Sequence, residues 1–188
     1  MKKQFTVLLL VSLLPLIGCS NLDQRIAGGA LAGEPQALER GDGQNCPITV
    51  TPEVAFVPPT PWPAKPPDAD RFWFGEAGLW TALPVSGNWP QLAEGEKFLL
   101  WSEEFDVTED ETPDITLTAR RLDGKAPLYR TTHATNAYHE SIHWAMLVGV
   151  HLPSPGCWQF DVAYKDHHLD LILWAPDQSS QPSTAVSP

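Results

Sequence analysis

Short apolar runs separated by turn-forming residues constrain the fold of this chain more than any other feature. Between residues 71 and 175, runs such as FWF (72–74), LWTAL (79–83) and KFLLW (97–101) alternate with glycine, proline and asparagine. Residues 115–120 and 157–164 alternate apolar with polar side chains, as strands with one buried face do. No long stretch outside the N-terminal segment has a helical period. The pattern predicts an all-β domain of roughly seven to nine strands over residues 71–175, an immunoglobulin-like antiparallel β-sandwich.

A dense group of prolines precedes that domain. Of the 19 prolines in the chain, seven lie in residues 52–67, a segment called the collar from here on. Proline disfavours both helix interiors and central strands, so the collar is predicted to be extended. Residues 45–70 are interpreted as a short edge strand (46–50) followed by the collar, which packs along the domain edge with Trp62 tucked in. A polyproline ligand for an SH3-like partner is the alternative.

The N terminus has the layout of a bacterial lipoprotein signal peptide. Lys2 and Lys3 precede an apolar stretch at residues 5–17, and residues 16–19 read LIGC, which matches a lipobox. We expect residues 1–18 to be removed and Cys19 to carry the lipid, whose acyl chains would include palmitate. An ordinary secretory signal with an accidental cysteine is the alternative. Residues 19–44 are predicted to be a flexible tether and residues 176–188 a loose tail.

These features predict a location and exclude one class of partner. The chain would be an extracytoplasmic lipoprotein of the bacterial cell envelope, at the outer membrane of a Gram-negative cell or the cell membrane of a Gram-positive one. The lipid would make the membrane contact, because a formal charge of −11 is repelled by anionic headgroups. The same charge argues against a nucleic acid as partner.

The two remaining cysteines are predicted to form a disulfide. Once Cys19 carries lipid, Cys46 and Cys157 are an even number of thiols in an oxidising compartment. The bond would pin the start of the folded region to a strand near its end, and would close a loop of about 110 residues. Two free buried thiols are the alternative.

Residues 139–143 read HESIH and match the motif of zinc peptidases. On a helix, His139 and His143 would share a face and hold one Zn²⁺, while Glu140 would activate the metal-bound water. The context opposes this chemistry, because no glutamate follows Glu140 and residues 145–152 alternate as a strand. A strand that begins near Ile142 would take the two histidines off a common helical face. No catalytic residue and no cofactor are therefore predicted. Zinc peptidase chemistry and non-catalytic metal binding by histidines, for example of copper or zinc, remain as alternatives.

Two tryptophans are the candidate exposed contacts. Trp62 and Trp89 lie beside prolines in irregular chain, where aromatic rings are free to meet a ligand. The tryptophans at positions 73, 80, 101, 158 and 174 lie within strand patterns and are predicted to be buried.

Four short segments carry a family resemblance. They are CPIT (46–49), LW (79–80), RRLDG (120–124) and PSPGCW (153–158). Together they resemble an uncharacterised group of bacterial exported proteins and lipoproteins with an immunoglobulin-like domain, over residues 46–175. The resemblance implies a strand at residues 143–152 and no catalytic activity.

The sequence as a whole favours a non-enzymatic, lipid-anchored envelope module that binds or positions another component, such as an envelope protein. An exposed apolar patch at one sheet or loop end would support that function over the two metal-dependent alternatives.

Overall fold

Nine antiparallel strands in two sheets make up the part of the chain that the structure describes. The structure is a computed structural model and describes residues 45–177. In chain order the strands are β1 Arg71–Glu76, β2 Leu79–Pro84, β3 Glu96–Trp101, β4 Ile115–Arg121, β5 Tyr129–Thr131, β6 Ala134–His139, β7 His143–Val150, β8 Gly156–Tyr164 and β9 His167–Ala175. One 3₁₀ turn, Pro90–Ala93, lies between β2 and β3. The prediction of an all-β sandwich is confirmed.

The order of the strands is that of an immunoglobulin sandwich with additions. Sheet A has the order β1-β2-β3-β7-β6, and sheet B has the order β5-β4-β8-β9. Strands β2-β3-β7-β6 reproduce the four-stranded sheet of that fold, and β4-β8-β9 reproduce its three-stranded sheet. The additions are β1 at one edge of sheet A and the short β5 at one edge of sheet B.

The core lies between the two sheets and follows the alternation read from the sequence. Ile115, Leu117 and Ala119 of β4 face inward and are buried. Trp158 and Phe160 of β8, the strand that pairs with β4, also face inward and are buried. Because each strand alternates, one face of each sheet supplies the apolar surface that drives the two sheets together.

Trp89 lies in this core, so the prediction that it is an exposed contact is wrong. Its side chain is 3% exposed and its ring stacks on Phe98 at 5.0 Å. The cause is a non-local backbone pairing: the Trp89 N–H donates to the carbonyl of Trp174 in β9 at 2.8 Å. That bond fixes residues 87–89 against β9 and turns the indole inward.

The predicted edge strand at residues 46–50 is replaced by a shorter attachment to β9. No strand is assigned there, because only Thr49 pairs with β9. Its N–H donates to the carbonyl of Ile172, and its hydroxyl accepts from the N–H of Ile172, both at 2.8 Å. Next to this contact, Cys46 and Cys157 form a disulfide with a Cα–Cα distance of 5.5 Å, as predicted.

Several sequence predictions fall outside the described residues. They are the signal peptide (1–18), the lipid attachment at Cys19, the tether (19–44) and the tail from residue 178 onward. Residues 45–177 contain no helix with the length and apolar character needed to cross a membrane.

Replacing both cysteines of the disulfide should lower the free energy of unfolding by about 4–5 kcal/mol, because the bond restrains a long loop in the unfolded chain. The sequence separation is 111 residues. Urea unfolding of Cys46→Ser/Cys157→Ser against the oxidised protein, both with Cys19→Ser, measures the difference. Equal midpoints, or two titratable thiols in the oxidised protein, would contradict the prediction.

Candidate functional site

Strand β6 is a free edge of sheet A. It pairs with β7 from Ala134 to His139, and no strand of residues 45–177 pairs with its other side. Alternate residues of such an edge direct their N–H and C=O groups away from the sheet. Its sequence, ATNAYH, has no proline, lysine or acidic residue, which are the groups that usually prevent an edge from pairing further. The edge is therefore open to an additional strand.

An exposed aromatic pair adjoins this edge. Tyr138 of β6 and Trp144 of β7 are cross-strand partners with ring centroids 5.2 Å apart. Tyr138 is 55% exposed and Trp144 is 39% exposed, and they are the only aromatics among the exposed large hydrophobic side chains of residues 45–177. Tyrosine and tryptophan in this setting are typical of protein interfaces.

The HESIH segment forms the turn between these two strands rather than a helix. His139 ends β6, His143 begins β7, and the two are cross-strand partners. The N–H of Ile142 donates to the carbonyl of His139 at 3.1 Å and closes the turn. His143 has a φ of 56°, a left-handed conformation that reverses the chain. Strand pairing on both sides overrides the helical spacing that a zinc peptidase needs.

The side chains of the motif do not converge on one point. The Nδ1 atom of His139 lies 2.7 Å from the hydroxyl of Ser141, and Glu140 is exposed at the turn. The ring of His143 instead lies between Trp62 and Tyr138, with centroids at 6.5 and 6.4 Å. Within residues 45–177, no three His, Cys, Asp or Glu side chains are grouped so that they could hold a metal ion.

An acidic loop lies at the same end of the sandwich. Residues 103–114, between β3 and β4, carry seven acidic side chains and no lysine or arginine: Glu103, Glu104, Asp106, Glu109, Asp110, Glu111 and Asp114. The loop touches β6 directly, because the amide of Asn136 donates to the carbonyl of Glu111 at 2.6 Å. A negative potential therefore faces one end of the free edge.

Two of the loop's carboxylates help to hold it on the sandwich. Burial, followed by the negative charge of Asp110, raises the pKa of Tyr164 to about 12. Tyr164 therefore stays protonated at neutral pH and donates to the carboxylate of Asp110 at 3.3 Å. His167 hydrogen-bonds Glu104 at 2.9 Å, which lowers the pKa of that carboxyl. Apart from Glu104, no carboxylate of the acidic loop forms a salt bridge with a lysine or arginine among the described residues.

The collar packs against the outward face of sheet A rather than along the domain edge. Trp62 is half-buried, with its ring edge-on to Trp80 at 5.0 Å, so it is not a freely exposed contact. Sequence reasoning missed Tyr138 and Trp144 instead. Their symmetrical positions on either side of the two histidines would have placed them opposite each other once a hairpin was assumed.

No protein-family model, no curated protein and no solved structure matches this chain. The family resemblance carried by the four short segments therefore stays a prediction.

The protein should hold far less than one equivalent of zinc, because a cross-strand pair of histidines without a third ligand binds the metal weakly. Elemental analysis after dialysis against zinc measures this, with His139→Ala/His143→Ala as the matched control. One equivalent of zinc that is lost in the control, together with peptidase activity that is lost in Glu140→Gln, would establish the peptidase instead.

Proposed function

We propose that this chain is a lipid-anchored, extracytoplasmic module that binds an envelope protein without catalysing a reaction. The observation that carries the proposal is the open edge of β6 beside the exposed pair of Tyr138 and Trp144. Such an edge accepts an extended segment of a partner as an additional strand of sheet A.

The two features have complementary tasks in this proposal. Backbone hydrogen bonds to β6 supply affinity for any extended segment, with little dependence on its sequence. The aromatic pair adds a side-chain contact of large area, and aromatic residues of this kind carry much of the binding energy at interfaces. Free edge and aromatic pair together select an extended segment with an apolar side chain at one position.

The charge of the acidic loop specifies the partner further. Glu111 lies at the contact with Asn136, and Glu140 lies at the turn that follows β6. Glu111 lies beside the middle of β6 and Glu140 just beyond its C-terminal end, so a partner strand that adds antiparallel meets them with its N-terminal half. Lysine or arginine in that half would be attracted, and association would weaken as salt increases.

The lipid anchor is a separate part of the proposal and has its own test. Cells that express the chain and grow with labelled palmitate should incorporate the label, because the Cys19 thiol is the expected acceptor. Cys19→Ser should abolish the incorporation, with Cys46→Ser as the matched control. Label that persists in Cys19→Ser would refute this anchor.

Binding is tested with the end-blocked peptide KTKVTV and its charge-reversed counterpart ETEVTV, by calorimetry and by amide chemical shifts of β6. KTKVTV should bind and shift the β6 amides, and ETEVTV should not. Trp144→Ala should weaken binding about tenfold, since it removes half of the aromatic pair. Ala137→Lys should also weaken it, because an edge lysine opposes strand addition.

Leu122→Ala is the matched control, because Leu122 is also 39% exposed but directly follows β4, at the end of that strand away from the acidic loop. It should bind KTKVTV as the wild type does. The proposal fails if millimolar KTKVTV does not bind, or if Trp144→Ala and Ala137→Lys both bind it normally.

A further inference from the structure

The outward face of sheet A carries a second aromatic cluster, distinct from the core between the sheets. Trp73 of β1, Trp80 of β2 and Trp101 of β3 face away from sheet B and are buried, together with Ala82 and Ala145. Trp80 and Trp101 are register partners, and the rings of Trp73 and Trp101 meet edge-on at 5.0 Å. Three adjacent tryptophans form the tryptophan face.

The collar covers the tryptophan face. Trp62 contacts Trp80 at 5.0 Å and Phe56 contacts it at 5.7 Å, both measured between ring centroids. The indole N–H of Trp73 donates to the carbonyl of Pro63 at 3.0 Å. Aromatic rings against a proline-rich chain, with an indole N–H on one of its free carbonyls, are the elements of polyproline recognition. The protein thus binds its own proline-rich segment.

This cover is held by few contacts. Pro58 is the only fully buried residue of the collar, and the bond from Trp73 is the only hydrogen bond between sheet A and the collar that the described residues make. The indole nitrogens of Trp62 and Trp80 are buried without any hydrogen-bond partner. An unpaired buried donor opposes the closed arrangement, so we expect the collar to open more easily than the paired strands of the sandwich.

A groove adjoins the tryptophan face at the end of the collar. It has a volume of about 170 Å³ and an apolar lining that includes Ala82, Leu99 and Trp101, together with Pro67, the last residue of the collar. Its rim carries two acidic and two basic side chains, Asp68, Glu96, Arg71 and Lys97. Because the acidic and basic side chains at the rim are equal in number and the remaining lining is apolar, the groove fits an uncharged, apolar ligand rather than the cationic strand proposed for β6.

We infer that the tryptophan face and this groove form a second binding site, which takes a proline-rich segment of a partner protein and which the collar occupies within the chain. The chemistry is complementary, because Trp80 has a spare indole donor and proline offers carbonyl acceptors without a backbone N–H. The partner segment extends along the groove and displaces the part of the collar around Trp62. This site is separate from β6 and does not depend on the proposed function.

The probe is an end-blocked peptide with the sequence of the collar, PEVAFVPPTPWPAKPP, added to the full chain with Cys19→Ser. Trp62→Ala weakens the internal ligand and leaves the tryptophan face intact, so it should bind the peptide at least about tenfold more tightly than the wild type, by calorimetry. Trp62→Ala/Trp80→Phe places a smaller aromatic ring without an N–H at residue 80 and should lose several-fold of that affinity. A peptide with alanine in place of every proline should not bind.

If Trp62→Ala does not fold, Phe56→Ala serves as the second variant. It should also bind the collar peptide more tightly than the wild type does. Trp144→Ala should leave peptide binding unchanged, which separates this site from the β6 edge, because the side chain of Trp144 lies on the opposite face of sheet A from that of Ala145. The inference is overturned if both collar variants fold with native near-ultraviolet dichroism and bind no better than the wild type. A concentration-dependent dimer that the peptide dissociates would also overturn it, because the ligand would then be a second copy of this chain.

Discussion

The attachment of the first described residues to β8 and β9 is the constraint on which the outer layer of this domain depends. The Cys46–Cys157 disulfide and the two bonds between Thr49 and Ile172 hold the chain on sheet B. The chain then enters β1 in sheet A at Arg71. The collar must therefore cross from one sheet to the other, and its prolines keep it extended on the way. Its position on the tryptophan face follows from fixed ends more than from strong contacts of its own.

Sheet A consequently has two very different environments. Strands β1 to β3 are covered on both faces, by sheet B on one and by the collar on the other, and their tryptophans are buried on the collar side. Strand β6 has neither a collar nor a neighbouring strand beyond it within residues 45–177, and most of its side chains are exposed. One sheet thus offers an apolar surface rich in indole donors and, some strands away, an open backbone edge beside negative charge.

Local apolar patterns predicted most of the strands and the core of the sandwich, but no such pattern indicated β5 or β6. Ile115, Leu117 and Ala119 face inward because alternate side chains of a strand lie on the same face of the sheet, and the apolar set lies on the buried face. Trp89 could not be predicted in this way, since its burial results from a bond to Trp174, 85 positions later in the chain. His139 and His143 are cross-strand partners because β6 pairs with β7, although their spacing in the sequence also fits one face of a helix. The exposure of Tyr138 and Trp144 was missed because it depends on which other segments pack beside the hairpin. Alternation within a strand does not indicate those neighbours.

The direction of β8 has a consequence for how the domain is presented. Its first residues carry the disulfide to Cys46, and its last residue, Tyr164, contacts the acidic loop. The nine residues of this strand span about 30 Å. The attachment point and the Tyr138–Trp144 hairpin therefore lie at opposite poles of the sandwich. A lipid upstream of Cys46 would therefore tether the domain by the pole that is farthest from its open strand edge.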